Sequence, residues 1–405
     1  MTWRKLARAL LGCVLPLSLA CSACGAAGGP AATPANTTTP AAPSRLAAVP
    51  RPAARPSCPE RVLSRMTMAQ RVGQLFLVGI AGDPGGEVAD AVDAYHFGSL
   101  LFATTSAAGA ARVRQLTGAI QALATARATA GVRFFVAANQ EGGEVQQLRG
   151  AGFAAMPSAL AQGALSPAAL QRQAAAWGRE LSLAGVNLNL APVMDVVPAG
   201  TADQNQPIGM LDREYGDDPG SVADHGVAFI RGMRQAGIAT AAKHFPGLGR
   251  VRGNTDFTAD VVDTATGPGD PYLRTYQAAI DAGVPFVMVA LATYTRIDPR
   301  HLAAFSPRVM RVMLRDQMRF RGVIVSDDLG AAAAVAGIPP PDRAFGFLAA
   351  GGDMITSASL AAAAAMAAAV LGRADADPGF RSVVDSAVTR ILAAKQAYGL
   401  LPCAT

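Results

Sequence analysis

From residue 59 onward, short apolar runs alternate with longer stretches in which apolar residues recur every three to four positions. The short runs predict strands at 73–79, 98–103, 134–138, 186–193, 240–242, 285–290, 322–326 and 353–356. Amphipathic stretches at 107–128, 168–184, 219–236, 270–282 and 306–318 predict helices between them, and 359–400 reads as helix closing an outer layer. Eight such alternations over roughly 300 residues predict an α/β fold, a single (β/α)8 TIM-type barrel in place of an open doubly wound sheet. No internal repeat on a solenoid period is visible.

The pattern is different before residue 59. Arg4, Lys5 and Arg8 precede an apolar run at 9–20 that is too short for a bilayer span and ends in small residues. Residues 1–20 therefore read as a secretory signal. The segment LSLAC at 17–21 resembles the lipobox of bacterial lipoproteins. That resemblance implies cleavage before Cys21, a diacylglycerol on its sulfur, and a chain anchored outside the cytoplasm by lipid. A plain secreted protein cut near Ala23 is the alternative; Cys24 fits the pattern less well. Residues 21–57 are rich in Ala, Pro and Thr and too poor in large apolar side chains to offset their ordering entropy, so they predict a disordered tether. Extended at about 3.1 Å per residue, it would reach roughly 100 Å. The barrel is then expected over 58–405.

Composition adds little about the core beyond its material. Of the 405 residues 51% are hydrophobic but only 6% aromatic, so packing must rely on Ala, Val and Leu. The net charge of +6 is small and its arginines dispersed, which argues against a nucleic-acid partner. Contact with a membrane is expected only through the N-terminal lipid. Cysteines say more. Cys13 leaves with the signal and Cys21 is acylated, which leaves Cys58 and Cys403 at the two ends of the body. An exported chain meets an oxidising compartment and barrel termini lie close together, so a Cys58–Cys403 disulfide is expected.

In such barrels chemistry gathers where strands end. The third strand runs into Asn139, Gln140, Glu141, Gly142 and Gly143, and the fourth into Asp195, with Arg213 in the loop beyond. Lys243 and His244 end the fifth strand, and Ser326, Asp327 and Asp328 the seventh. Singly, each could be a helix cap or a surface ion pair. Asp328, for example, precedes a helix and could cap it. Together on one rim they predict a polar site. The body carries no HExxH and no Gly-rich phosphate loop, so neither a metal nor an organic cofactor is expected.

The segments ANQEGGEVQQLRG, NLNLAPVMDV, LDREYG, AAKHFPGLG and RFRGVIVSDDLG resemble, in that order, motifs of the glycoside hydrolase family 3 N-terminal domain. The nearest branch is that of bacterial β-N-acetylglucosaminidases that trim peptidoglycan fragments, and the likeness covers roughly residues 60–400. It implies a retaining exo-β-glycosidase acting on β-linked amino sugars of the cell wall, a monomer by default, with no cofactor. Longer relatives add a C-terminal sandwich domain, which is not expected here. Carried over by motif, Asp327 is the nucleophile, and Lys243, His244 and Arg213 contact sugar hydroxyls. Asp195, Asn254 and Asp328 support them. Asn139 and Gln147 stand where the family has an aspartate and an arginine, so each substrate contact loses its charge. That leaves a β-glucoside or β-xyloside open beside N-acetylglucosamine.

One loop departs further. The branch has Asp-Ser-His after the fifth strand, with the histidine as acid/base; this chain has Asn254-Thr255-Asp256. In one reading Asp256 is the acid/base, its carboxyl hydrogen-bonded by Asn254 and its pKa raised in a closed site. In the other the loop has lost its catalytic role, and the protein binds sugar without turning it over well.

Overall fold

The computed structural model describes residues 56–80 and 86–403. The predicted signal sequence, Cys21 and the predicted tether up to residue 55 lie outside the described residues. Eight strands close into a barrel: β1 (Phe76–Ile80), β2 (Ser99–Phe102), β3 (Phe135–Ala138), β4 (Leu188–Asn189), β5 (Ala239–Phe245), β6 (Phe286–Val289), β7 (Val323–Asp328) and β8 (Met354–Ser357). Each pairs in parallel with its neighbours in chain order, and β1 meets β8 with Phe76 opposite Ile355. Covered on both faces, the strands carry unbroken buried runs such as FVAA in β3 and FVMV in β6. This is why apolar runs located them better than alternation would have.

The outer helices start where short polar side chains can cap them. Ser166 and Asp218 accept backbone N–H bonds at the starts of Pro167–Leu183 and Pro219–Gln235, each with proline in its first turn. Asp377 does the same for Pro378–Ala397, and so divides the predicted 359–400 helix into Leu360–Ala376 and Pro378–Ala397. The helices Gly86–Tyr95 and Pro340–Ala350 complete the ring without having shown a clear periodic signal.

The run at 240–242 lengthens to Ala239–Phe245 and that at 322–326 reaches Asp328, while two other runs are cut back more deeply. The run at 73–79 divides: Gly73 and Gln74 end the helix Met68–Gln74, whose start is held by a reciprocal cap between Thr67 and Gln70, and β1 begins at Phe76. The run at 186–193 keeps regular pairing only at Leu188–Asn189. Pro192 has no N–H to donate, yet the segment still binds both neighbours, Leu190 donating to Ala138 and Ala191 accepting from Ala241. At the barrel's N-terminal face, Cys58 and Cys403 are joined by a disulfide across a sequence separation of 345. Ser57, the last residue of the predicted tether, already caps the helix Cys58–Arg65.

Candidate active site

β5 and β7 each carry one residue too many for their ladders. Between Ala242 and Phe245 the partner strand advances only from Val287 to Val289, and between Val325 and Asp328 only from Met354 to Thr356. Bulges of this kind turn side chains away from the regular alternation. The displaced residues are Lys243 and His244 in β5, and Ser326 and Asp327 in β7. As a result Lys243 and His244, although consecutive, both face the same cavity at the C-terminal mouth.

Glu141 is the centre of the charge arrangement. Its Oε2 accepts from Arg213 Nε at 2.8 Å, and its Oε1 accepts from Arg213 Nη2 at 2.8 Å and Lys243 Nζ at 2.6 Å. Lys243 also donates to Asn139 Oδ1 at 2.8 Å, and Arg213 Nη1 to the Pro207 carbonyl at 2.6 Å. Burial by itself would push the Glu141 carboxyl up; Arg213 and Lys243 outweigh it and bring the group down to about 2. Burial also works against the Arg213 cation, but Glu141 holds it above its ordinary value, while Lys243, for which burial prevails over Glu141, sits below its own. An ammonium has three N–H donors and a guanidinium five. After these contacts Lys243 keeps one, and Arg213 two, for a ligand. Sequence reasoning placed Glu141 on the rim without a role. The signal available was charge balance, since two buried cations on one rim require a counter-ion.

Asp195 lies behind the cavity wall and holds His244. Its Oδ2 faces His244 Nδ1 at 2.8 Å, while Oδ1 accepts from the His244 and Leu248 backbone and from the Tyr276 hydroxyl. Burial would raise the Asp195 carboxyl, but His244 and then Tyr276 keep it below the ordinary range. With Nδ1 committed, His244 presents its other ring nitrogen as its remaining polar atom.

The loop after β5 is docked against the loop after β7. The Thr255 and Asp256 carbonyls accept from Ala334 and Ala333, and Thr255 is buried. Asn254 differs from expectation: its Oδ1 accepts from the Asp256 backbone N–H at 2.9 Å, so it shapes the turn that carries Asp256. The Asp256 carboxyl lies above its ordinary pKa range. Burial raises it most and the charge of Asp327 next, against the pull of His244, Arg213 and Lys243.

For Asp328 the alternative of a helix cap does not hold. The next regular helix begins only at Pro340, and Asp328 caps no helix. Its carboxylate accepts from Gly330 and Ala331 and, across to the loop after β8, from Ala358. It fastens the turn that carries Asp327. Gln147 Oε1 accepts from the Asn139 backbone N–H at 2.7 Å, so the Gln147 side chain is tied to the Asn139 backbone while both residues line the cavity.

Asn139, Gln147, Arg213, Lys243, His244, Asn254, Asp256, Asp327 and Asp328 thus line one cavity of about 400 Å³, with Asp195 immediately behind. That volume is within the ~300–1,000 Å³ usual for a small-molecule site. Among the described residues no group of three or more His, Cys, Asp or Glu is placed to hold a metal ion.

Residues 67–394 match the model of the Glycosyl hydrolase family 3 N terminal domain. The chain belongs to glycosyl hydrolase family 3. A β-N-acetylhexosaminidase from Beutenbergia cavernae is similar at 48% identity and a TM-score of 0.81, covering 82% of this chain and 99% of that one. A family 3 β-N-acetylglucosaminidase from Paenibacillus is 27% identical with a TM-score of 0.75, over 84% of this chain and 64% of that one. A β-hexosaminidase of Stenotrophomonas maltophilia (strain K279a) is 35% identical over 245 residues, 57% of this chain and 69% of the relative. Within family 3 this chain is a glycoside hydrolase whose cavity occupies the rim the motifs pointed to.

Proposed function

We propose that this family 3 protein is a retaining exo-β-N-acetylhexosaminidase, with Asp327 as nucleophile and Asp256 as acid/base. The observation that carries the reading is that these two carboxyls, one from the loop after β5 and one from the end of β7, face one cavity, where burial first and the Asp327 charge next raise the Asp256 pKa. In the first step the Asp327 carboxylate bonds to the anomeric carbon as the glycosidic C–O bond breaks, and the leaving oxygen takes the Asp256 proton. In the second, water attacks the same carbon, Asp256 takes its proton, and Asp327 leaves as carboxylate. Lys243, Arg213 and His244 hold the ring hydroxyls through the donors that Glu141 and Asp195 leave free. The substrate assignment is supported by the relatives named β-hexosaminidase and β-N-acetylhexosaminidase.

The setting we propose is the cell envelope, with a lipid at Cys21, the tether reaching into the wall, and a monomeric barrel releasing amino sugars from peptidoglycan fragments. The Cys58–Cys403 disulfide supports export, because such bonds persist in oxidising compartments. The test is turnover of aryl N-acetyl-β-glucosaminide by the full chain, with the first-formed anomer followed by NMR. Asp327→Asn should abolish turnover. Asp256→Ala should lower it by roughly 10²–10⁴-fold on poor leaving groups and lose the alkaline limb of the pH profile, with azide restoring activity as the β-azide. An inverted product, or Asp256→Ala with wild-type rates and pH profile, would refute the assignment. Saturable sugar binding without product on N-acetylglucosaminides, glucosides and xylosides would leave a binding protein in its place.

A further inference from the structure

Phe257 is the most exposed of the large apolar side chains among the described residues, at 82%, and the sole aromatic among those that are exposed. An aromatic ring left in water forgoes a large burial gain, so its position calls for a reason. Three observations supply one. First, Phe257 lines the cavity containing Asp256 and Asp327, and follows Asp256 directly in the chain. Second, its place is held firmly. The Asn254 carbonyl accepts from the Phe257 and Thr258 N–H groups, the Asn254 side chain fastens Asp256, and the preceding carbonyls are tied to Ala333 and Ala334. Third, of the polar donors that would grip a sugar ring, Lys243 and His244 come from the barrel wall and Arg213 from the loop after β4, whereas Phe257 comes from the loop after β5.

We propose that Phe257 is the stacking platform for the leaving-group sugar, the ring on the far side of the bond that is cleaved. The inference rests on the reading of Asp256 as the proton donor. A donor must stand beside the glycosidic oxygen, so the ring attached to that oxygen lies on the Asp256 side of the cavity, where Phe257 is exposed. The C–H face of a β-linked pyranose is apolar and flat enough to cover an aromatic ring, and its hydroxyls project outward into water. The ligand class is therefore a β-linked di- or oligosaccharide in preference to a glycoside of a small alcohol. Leu211 and Pro207, from the loop after β4, add apolar surface to the same cavity.

The experiment compares two substrates in the full chain: the β-1,4-linked disaccharide of N-acetylglucosamine, and the corresponding β-glycosyl fluoride, whose leaving group is one atom. Phe257→Ala should lower kcat/KM for the disaccharide about five- to tenfold more than for the fluoride, chiefly through KM, and Phe257→Trp should restore the disaccharide preference. Equal losses on both substrates, or no loss on either, would overturn the platform. Calorimetry with the Asp327→Asn chain separates this from the catalytic assignment. There Phe257→Ala should weaken disaccharide binding more than monosaccharide binding, even if the parent chain turns over neither substrate. If both sugars bind equally in the two proteins, the platform is wrong whatever the catalytic residues prove to be.

Discussion

The two ends of this barrel hold the same kind of chemistry and use it differently. At the C-terminal mouth Glu141, Arg213 and Lys243 form a buried ion cluster. At the N-terminal floor Asp353 is buried between Arg315 and Arg390 and also accepts from the Ile324 N–H, while Lys395, fully buried, donates to Gln74 Oε1, the Gly98 carbonyl and the Arg133 carbonyl. The difference is in what is left over. Every N–H of the Lys395 ammonium has a protein acceptor, and both Asp353 oxygens are occupied. At the mouth Lys243 and Arg213 retain unspent donors, and these face an open cavity. Buried charge therefore does not distinguish a site from a brace. Unspent hydrogen-bonding capacity beside empty space does.

Removing one charge from each end tests that comparison most severely. Glu141→Gln leaves two cations short of a counter-ion, so it should cost about 3–5 kcal/mol of stability and also lower kcat/KM in whatever remains folded. Lys395→Met should cost about 2–4 kcal/mol, because its acceptors lose their donors, yet the surviving folded fraction should hydrolyse substrate at the parent rate. Denaturant melts beside active-site-titrated kinetics would measure both. If Lys395→Met changes KM, the floor is coupled to the mouth and the distinction fails.

The floor also carries the disulfide, which sharpens the same contrast. Replacing both Cys58 and Cys403 by serine should lower stability by about 2–5 kcal/mol through the freer unfolded chain. Turnover by the folded protein should not change, and reductant should affect the parent alone. A smaller effect concerns acid. The Glu141 carboxyl is held at about 2 when folded against an ordinary 4.5, so its contribution is complete above about 4.5 and is lost as pH falls toward 2. That loss should reach at most about 3 kcal/mol. Acid melts of the parent and Glu141→Gln should therefore converge at low pH; parallel curves would show that the mouth cluster does not titrate as described.

Much of this molecule was legible along the chain because its signals are local. Apolar runs and helical periodicity specify the barrel, since a parallel strand covered on both faces must be apolar throughout. The strand ends named the rim, and the motif order brought Asp327, Lys243, His244 and Arg213 to it. Three features depended on the folded chain. Extra residues in β5 and β7 become bulges only against the shorter advance of β6 and β8, so no reading of β5 alone could show Lys243 and His244 facing together. Glu141 becomes the counter-ion only when folding brings it to Arg213, 72 residues away, and to Lys243 on β5. Asn254, read as the partner of a carboxyl, and Asp328, for which a helix cap was the alternative to a supporting role, both fasten backbone turns, because short polar side chains bind whichever N–H the loop brings nearest. What the sequence determined was which residues reach the mouth; which of their hydrogen-bonding groups are spent and which remain was decided by contacts distant in the chain, because only the tertiary fold brings a buried charge to its partner.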